Sequence, residues 1–528
     1  MTATKYDVVI IGAGIAGLTC ANYLVSAGKR VLILEHNHQA GGLMGGFWRK
    51  GFYFDAGDQS FEQGNMVFPI LQDFGLFQKE DWEPADYASR LPQGEIVFKD
   101  KKEVIEQLAD FFPHERQNIY NYFEDLERFV IPMRTMFYDY PSPIFAKGID
   151  RIKGIYGSLK TVLKHGDVFK EGIIETGANH AERFIPGYGF GEKFSQMGYR
   201  NMSAFMGVGF WFSWFEDYWY PRYGLQGLMN KFVERFTRLG GEIRFHQTVE
   251  EIVVKNGRAV GARTAQGDEF FGEWIVFAGS TKRLYTEYLS PNLLDPSLIR
   301  QMDEGVVSEP MNAVYLGVDI PRKELKKYLS AHHTILMLKD FFADYDDFDD
   351  PKLHQKGFIE ISCPSYNNPN LAPRGKNALV LQINTAYHWM NNWGTEGDDF
   401  KRTKKYKSLK KKVMNEIIKG AEEVIPNLRD RIVYQDMGTP MSTIRFTLNP
   451  EGASAGWTYD HEKSVLKGKY LSLFTPVRNL LTIGHYAIWP GGVPLAAVTG
   501  LMGARAVQRG RYLNPIYDLM AIRKRLKR

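Results

Sequence analysis

A glycine-rich turn that starts at residue 12 constrains the fold of this chain more than any other feature. It follows a run of β-branched residues at positions 6–11, which is typical of a strand buried on both faces. Helical spacing follows over residues 18–27, and a second buried strand over residues 29–34 ends at Glu35. The turn itself consists of Gly12, Ala13, Gly14, Ile15, Ala16 and Gly17. Strand, turn, helix, strand and acid in this order predict a dinucleotide-binding unit.

Each residue of the turn has a separate physical task. Gly12 permits the tight turn, Gly14 lets the backbone approach a pyrophosphate, and Gly17 lets the helix pack closely on the sheet. The phosphates are then expected to contact the free amides at the start of the helix, at Ile15 and Ala16. The positive end of the helix dipole favours negative charge at that place.

The acid that ends the second strand, and the segment after it, distinguish between cofactors. Glu35 is expected to accept hydrogen bonds from the ribose hydroxyls of an adenosine, and its charge disfavours the 2′-phosphate of NADP. A second glycine cluster follows, with the pair Gly41-Gly42, then Leu43, and the sequence GFYFDAG at residues 51–57. An NAD dehydrogenase does not need glycines here. A flavoprotein does, because its chain must pass close to the ribityl chain and the isoalloxazine ring, so the sequence predicts FAD.

The C-terminal part of the chain contains a third glycine-rich element. Residues 479–484 read as a strand that ends in Gly484, and residues 495–508 read as a helix. A Pro-Gly-Gly sequence between them leads through Gly492 and Val493. A helix N-terminus suits the electron-rich N1/C2=O edge of a reduced flavin, because the helix dipole favours negative charge there. An ordinary strand-turn-helix of a protein core has the same pattern, so this assignment depends on the N-terminal motif.

Together these elements resemble the flavin amine oxidase superfamily, whose members carry a GG pair followed by a G-x-x-F-D-x-G element. Amine oxidases usually have arginine after the GG pair, whereas this chain has Leu43. That difference points to the branch of phytoene desaturases, carotenoid isomerases and retinol saturases. In that family a middle block, here with a hairpin turn at Asn256-Gly257, belongs to the FAD domain. The resemblance implies that the backbone at Val249 reaches the adenine.

The resemblance implies an α/β fold, with a Rossmann-like FAD-binding domain and an α+β substrate domain inserted in two segments. The FAD-binding domain would comprise residues 1–75, 220–285 and 471–528, the last with a basic tail. The substrate domain would comprise residues 76–219, which are expected to be helical, and residues 286–470, which are expected to contain a mixed sheet. Residues 377–384 read as a buried strand of that sheet.

Two segments are consistent with a long apolar substrate. Residues 205–220 are dense in aromatic rings, which indicates either the wall of a tunnel or ordinary core packing. Residues 130–170 combine apolar side chains with lysines and arginines, which suits either contact with an anionic bilayer surface or a helix packed on the substrate domain. The basic runs at residues 404–412 and 523–528 are typical of solvated faces.

Composition excludes several classes of protein. The chain has 66 basic and 61 acidic residues, and a net charge of +5 on 528 residues gives no case for a nucleic-acid partner. Two cysteines exclude a disulfide framework and a four-cysteine zinc site. No metal site is predicted, since His36 and His38 lack further ligands and are expected to face solvent. Without a visible signal peptide or spanning apolar stretch, the expected location is cytoplasmic, with peripheral membrane contact left open.

The motifs predict an FAD-dependent oxidoreductase that acts on carbon–carbon bonds of a long apolar substrate of the isoprenoid or polyene type. Desaturation, saturation and cis–trans isomerisation all occur in the resembling branch, and the flavin motifs are common to all three. An oxidase of an amine or amino acid is the alternative, and a flavin-binding protein without turnover is a third reading. No second glycine motif for NAD(P)H is present, so the electron partner is open.

Catalytic residues are only weakly indicated. No nucleophile–base constellation is readable in the sequence. Position relative to the motifs places Asp58, Gln59, His485 and Trp489 near the flavin. Each is a candidate to handle a proton or to shape the pocket, although bonding to loop backbone groups and packing explain these residues as well.

Overall fold

Two large sheets and the helices around them form the protein. The computed structural model describes residues 5–187, 201–339, 344, 346–397, 401–460, 463, 471–488 and 491–510. The strands, in chain order, are β1 (Lys5–Ile11), β2 (Val31–Leu34), β3 (Gly46–Arg49), β4 (Phe52–Asp55), β5 (Phe61–Glu62), β6 (Trp82–Pro84), β7 (Tyr87–Leu91), β8 (Gly94–Val97), β9 (Tyr218–Pro221), β10 (Glu242–Arg244), β11 (Val249–Lys255), β12 (Arg258–Thr264), β13 (Glu269–Phe277), β14 (Met311–Val318), β15 (His333–Met337), β16 (Phe358–Ser362), β17 (Asn377–Asn384), β18 (Ile432–Gly438) and β19 (Leu480–Thr482).

Helices of two turns or more connect and cover these strands. In chain order they are α1 (Ile15–Ser26), α2 (Gly64–Asp73), α3 (Lys101–Phe111), α4 (Arg116–Arg134), α5 (Gly148–Ile174), α6 (Ala204–Glu216), α7 (Gly224–Arg238), α8 (Pro296–Asp303), α9 (Lys404–Ala421), α10 (Pro440–Thr447) and α11 (Val493–Arg509). Shorter helices span Gly177–Glu182, Thr281–Arg283, Arg322–Leu325 and Trp389–Asn392.

The first sheet, called here the nucleotide sheet, has seven strands in the order β10-β2-β1-β13-β12-β11, with β19 also on β13. The strands β10, β2, β1, β13 and β19 are parallel, whereas β11, β12 and β13 form an antiparallel meander. The β11–β12 turn is the predicted Asn256-Gly257, and both residues have positive φ, 52° and 68°. Alternate residues of β1 enter two different cores, as expected of a parallel strand covered on both faces.

The second sheet has seven strands in the order β18-β14-β17-β16-β15-β7-β8. All its pairs are antiparallel except β15 with β7. Every residue of β17 is buried, which confirms the strand predicted at residues 377–384. The expectation of a helical first part of the substrate domain is wrong for residues 87–97, which form the β7–β8 hairpin. The partner of β7 is β15, far along the chain, so no local pattern reveals this pairing.

The strands follow the segments expected of two interleaved domains. Those of the nucleotide sheet lie within residues 1–75, 220–285 and 471–528, and those of the second sheet lie within residues 76–219 and 286–470. Strand β9 pairs with both β5 and β6, and the boundary predicted between residues 219 and 220 falls inside it. The domain boundaries stay predictions.

Helix α5 has 27 residues and packs through its small side chains. Its buried residues are Gly154, Gly157, Thr161 and Gly172. A Cβ atom at Gly154 or Gly157 would collide with the backbone of Pro141 or the ring of Tyr140. Val168 and Phe169 pack on the protein. Most other large apolar side chains of α5 point away from it: Ile149, Ile152, Ile155, Leu159, Val162, Leu163, Ile173 and Ile174 are exposed.

The length and apolar character of the helices decide whether any of them could span a bilayer. A spanning helix needs about 20 predominantly apolar residues. None of the helices in the described ranges combines sufficient length with sufficient apolar character to cross a membrane.

Candidate functional site

A cavity of about 1050 Å³ lies between the two sheets. At one end it is lined by the carboxyl ends of β1, β2 and β13, which is the edge where parallel α/β sheets bind ligands. At the other end it meets the face of the second sheet, where residues from β14, β16 and β17 line it. The predicted cofactor residues that line this cavity are Gly12, Gly14, Ile15, Ala16, Glu35, Gly41, Gly42, Leu43, Val249, Gly484, Gly492 and Val493.

The glycine turn has the geometry that a pyrophosphate needs. Gly12 has φ = 101°, a conformation that favours glycine. A Cβ atom at Gly17 would collide with the carbonyl oxygen of Gly12, so this glycine lets α1 approach the turn and does not itself line the cavity. An ideal Cβ at Gly14 has no atom within 4 Å, so open space lies directly in front of this residue. Helix α1 begins at Ile15, beside that space.

The second glycine cluster lies against the first. The Gly41 amide donates to the Ala13 carbonyl oxygen at 3.0 Å. A Cβ at Gly42 would lie 3.4 Å from the Cα of Gly14, so any larger residue would narrow the passage between the two loops. Gly41 has φ = 135°, again a conformation that glycine adopts readily. The Leu43 carbonyl accepts a hydrogen bond from the Asp58 amide at 2.9 Å. Both residues line the cavity.

Glu35 and its neighbours form the end of the cavity at β2. The Glu35 carboxylate accepts hydrogen bonds from the amides of Ala13 at 2.6 Å and Asn37 at 2.8 Å. Burial raises its pKa, and the two backbone bonds oppose that rise. The expectation of a solvent-facing histidine is wrong for His36, whose ring nitrogens contact Thr248 Oγ1 at 2.7 Å and the Arg445 carbonyl at 2.9 Å. His38 is exposed, as expected.

The C-terminal element begins where β19 ends. Gly484 has φ = 100°, and its amide donates to Thr499 Oγ1 of α11 at 2.8 Å. Helix α11 starts at Val493, directly after Gly492. A Cβ at Gly492 would collide with the carboxylate of Glu62, so the helix N-terminus and this acid lie side by side. The helix is two residues longer at its start than the sequence pattern predicts.

These features fit a flavin dinucleotide. The open space at Gly14, the glycines at 41, 42 and 484, and the two helix N-termini form a continuous lining with room for both a pyrophosphate and a ring system. The assignment of individual residues to parts of FAD remains a prediction.

The predicted catalytic residues differ in how many of their polar side-chain atoms are already hydrogen-bonded to the protein. Both polar atoms of the Gln59 side chain are hydrogen-bonded. Its amide nitrogen donates to the carbonyls of Asp55 and Gly57, and its Oε1 accepts from Ser362 at 2.7 Å. It therefore joins the loop to the second sheet. His485 lines the cavity, and burial lowers the pKa of its ring to about 4. Trp489 lies outside the described residues.

Asp58 belongs to a group of acids that sequence reasoning missed. Asp58, Glu62 and Glu360, called here the carboxyl cluster, all line the cavity. Burial and mutual repulsion raise the pKa of Asp58 well above its usual range, and burial and Glu360 raise that of Glu62. Glu62 lies four residues after Asp58, close enough to have been noticed, whereas Glu360 is on β16 and carries no sequence signal.

The aromatic residues of segment 205–220 lie partly in the wall of the cavity and partly in the core. Phe210, Trp214 and Tyr218, spaced four residues apart, line the cavity from one side. Trp211 and Phe212 are buried, and Trp211 packs in a core with Phe98 and Phe123. One face of this segment therefore forms an apolar wall, and the others are core.

The whole chain is similar to known flavoproteins. A family model described as flavin-containing amine oxidoreductase matches residues 15–508. The chloroplastic prolycopene isomerase of Daucus carota is 25% identical, over 98% of this chain and 83% of its own length. The all-trans-retinol 13,14-reductase of Danio rerio is 23% identical, over 96% of this chain and 86% of its own. The structure of an oxidoreductase from Methanosarcina mazei is similar in fold, with a TM-score of 0.61 at 14% identity over 94% of this chain and 99% of that one.

Proposed function

This chain belongs to the flavin-containing amine oxidoreductase family and is an FAD-dependent enzyme, and from that membership we propose that it acts on carbon–carbon double bonds of a long polyene. The family match confirms the resemblance seen in the motifs, the α/β flavin fold and the cofactor. One observation supports the polyene most: the wall formed by Phe210, Trp214 and Tyr218 beside the flavin end of the cavity. Relatives named for a carotenoid isomerase and a retinol reductase support the same substrate class.

In this proposal each glycine element holds one part of FAD. Gly12, Gly14 and the amides that follow contact the pyrophosphate, and Glu35 binds the ribose of the adenosine. The backbone of Val249 lies at the adenine. Gly41, Gly42 and Leu43 follow the ribityl chain, and Gly484, Gly492 and Val493 surround the flavin ring. FAD supplies a two-electron carrier, and the protein aligns the substrate with it and excludes water.

One observation favours the alternative, an oxidase of a cationic amine. Three carboxyl groups in a buried cavity would attract an ammonium group. However, an amine held by carboxylates keeps its proton, and an ammonium has no lone pair to assist loss of hydride from its α-carbon. The cluster could therefore bind an ammonium group that lies away from the reacting carbon, but it does not suit the amine that is oxidised. Leu43, in place of the arginine usual in amine oxidases, also favours the polyene.

Flavin absorbance separates these functions. The purified protein is expected to show the oxidised flavin spectrum, and anaerobic addition of a polyene in detergent is expected to bleach it for a desaturase. For a saturase, the dithionite-reduced protein should regain its oxidised spectrum with the polyene. For an isomerase, cis polyene should convert to trans only when the flavin is reduced. Bleaching by amines, with no response to polyenes under any of these conditions, would establish the alternative.

We further propose that α5 contacts a membrane surface from which such a substrate is taken. Its exposed apolar residues include Leu163, 85% exposed, and Ile152, 65% exposed. The same helix carries five basic and three acidic residues, so its polar side suits anionic headgroups. Burial of its glycines against the protein leaves the large side chains free to enter the interface. Because a polyene dissolves in the bilayer, contact with the membrane surface would give the enzyme access to its substrate.

Replacing Ile152 and Leu163 together by glutamate is expected to reduce binding to anionic vesicles by at least about tenfold, because burial of each side chain is worth about 2 kcal/mol. Sedimentation with vesicles of mixed phosphatidylcholine and phosphatidylserine measures this. The matched control is Leu239→Glu, since Leu239 is also exposed but lies after α7 on the other domain. Equal binding by the double variant and the control would exclude α5 as the contact.

A further inference from the structure

The carboxyl cluster is assembled from three separate parts of the chain. Asp58 lies in the loop after β4, and its Oδ1 accepts from the Gln59 amide at 2.8 Å. Glu62 ends β5, where it pairs with Tyr218 of β9. Glu360 lies in the middle of β16 and contacts the ring of His333 through Oε1 and Nδ1 at 2.8 Å. The acids meet at the end of the cavity where the second sheet faces the FAD elements.

The electrostatics of the cluster favour bound protons. The charges that act most strongly on Asp58 are Glu62 and Glu360, both acidic, and its carboxyl lies in a desolvated place. Among the described residues, Tyr218 faces the cluster and His333 contacts Glu360 directly. Burial and the same carboxylates raise the pKa of Tyr218, so it stays neutral. Burial and the neighbouring acids therefore make Asp58 and Glu62 hold a proton more readily than exposed carboxyl groups do.

An independent observation indicates that a polar ligand group reaches this place. Asn384 is 1% exposed and lines the cavity, yet within the described residues neither its amide nitrogen nor its oxygen has a hydrogen-bond partner. Glu360 pairs directly with Gln382, two residues from Asn384 on the same face of the sheet. Buried amides without partners are rare, so the partner of Asn384 is expected to arrive with a ligand.

We propose that Asp58 and Glu62, which line the cavity beside the start of α11, act as the acid and base of the reaction, and that Glu360, held by His333, lies beside them. This inference rests on the proposed polyene function and adds the residues that handle its proton. The position of the cluster supports it, because Glu62 touches Gly492 at the start of α11, the expected place of the flavin ring. Asn384 then binds a polar group of FAD or of the substrate beside the cluster, since the carbon–carbon bonds of a polyene offer it no hydrogen bond.

The chemistry balances with one proton and one hydride. In saturation, one alkene carbon gains a hydride from the reduced flavin and its neighbour gains a proton from a carboxyl group of the cluster. Two C–H bonds would form while the π bond, the carboxyl O–H bond and the bond holding the hydride on the reduced cofactor break, leaving a carboxylate and oxidised FAD. Desaturation is the reverse, with the carboxylate accepting the proton and the oxidised flavin accepting the hydride.

His485 and Tyr218, which also line the cavity, are less suited to this role. Burial lowers the pKa of His485 to about 4, so its ring is neutral at neutral pH and is not an acid there. A tyrosine with a raised pKa, such as Tyr218, is a weak donor and a poor base in its neutral form. Burial and the neighbouring acids raise the pKa values of Asp58 and Glu62, so these carboxyl groups suit holding a proton and giving it up.

The test compares the holoprotein with Asp58→Asn, Glu62→Gln and Glu360→Gln, which keep the side-chain shape and remove the titrating group. The matched control is Glu269→Gln, since Glu269 pairs with Arg263 on the surface of the nucleotide sheet. Flavin absorbance verifies that each variant folds and binds FAD. Infrared spectra at neutral pH then report protonated carboxyl groups, and stopped-flow absorbance reports single-turnover electron exchange with the polyene.

The expected result is a protonated-carboxyl band in the wild type and the control that is lost or shifted in each cluster variant. Electron exchange should slow by at least about 100-fold in Asp58→Asn, with a changed pH profile. Absence of the band in the wild type, or cluster variants that react within threefold of the control, would overturn the proposal. If no polyene exchanges electrons with the wild type, desaturation and saturation are excluded as functions, and the infrared band still decides whether the cluster holds a proton.

Discussion

Replacing Gly14 by valine is expected to abolish FAD binding while the fold remains intact. The space in front of Gly14 is open, with no atom within 4 Å of an ideal Cβ, and the backbone of Gly14 has an ordinary extended conformation, with φ = –70°. The valine side chain therefore costs the apoprotein little, yet it fills the place where the pyrophosphate meets the start of α1. Loss of these contacts should weaken FAD binding by about 1000-fold or more, roughly 4 kcal/mol.

Two further variants separate cofactor binding from folding. Gly17→Ala places a methyl group against the Gly12 carbonyl oxygen, so it should reduce both FAD content and stability. Gly166→Val is the control, since Gly166 is also open but lies on α5, away from the cavity. Fluorescence titration with FAD and thermal unfolding of the apoproteins provide the two readouts. Retention of tight FAD binding by Gly14→Val would contradict the placement of the pyrophosphate.

The nucleotide part of the site was predictable because its determinants are local. A strand, a turn, a helix and an acid within residues 6–35 specify one supersecondary unit. Gly12 adopts a positive φ and Gly17 packs against the Gly12 carbonyl, so the demands on these glycines come from the turn itself. The second glycine cluster follows directly in sequence and lies directly against the first. The element at Gly484 is distant, but its strand-turn-helix pattern is complete in itself.

The substrate end was not predictable because its contacts join distant segments. The β7–β8 hairpin enters the second sheet only through β15, and Glu360 reaches Asp58 only when β16 covers the loop after β4. Helix α5 shows a related difficulty: its apolar residues look like a core face, but its glycines make the actual contact with the protein. Which face of a helix is buried depends on the shape of its neighbour, and a sequence pattern does not contain that shape.

Asp55, the acid of the G-x-x-F-D-x-G element, is expected to have a large effect on stability. It is fully buried and accepts hydrogen bonds from the hydroxyls of Tyr53 and Tyr220, the second at 2.6 Å, and from the Leu225 amide at 3.1 Å. It thereby joins the first FAD segment to β9 and the start of α7. Asp55→Ala leaves three buried donors without acceptors and should lower the free energy of unfolding by about 4 kcal/mol, measured by urea denaturation. A loss below about 1 kcal/mol would contradict this role.

The charge of Asp55 gives a separate, pH-dependent effect. Burial raises the pKa of its carboxyl from 3.8 to about 6, although the tyrosine hydroxyls oppose the rise. The folded state therefore binds this proton more tightly than the unfolded chain does, and the stabilisation, present below about pH 4, is lost as the pH rises through about 6. Its full size is about 3 kcal/mol. Asp55→Asn removes this titrating group. The free energy of unfolding of the wild type minus that of the variant should therefore fall between about pH 4 and pH 6. Other carboxyl groups titrate in both proteins, so their contributions cancel in this difference. A constant difference would mean that the hydrogen bonds from the tyrosines, rather than burial, determine the ionisation of Asp55.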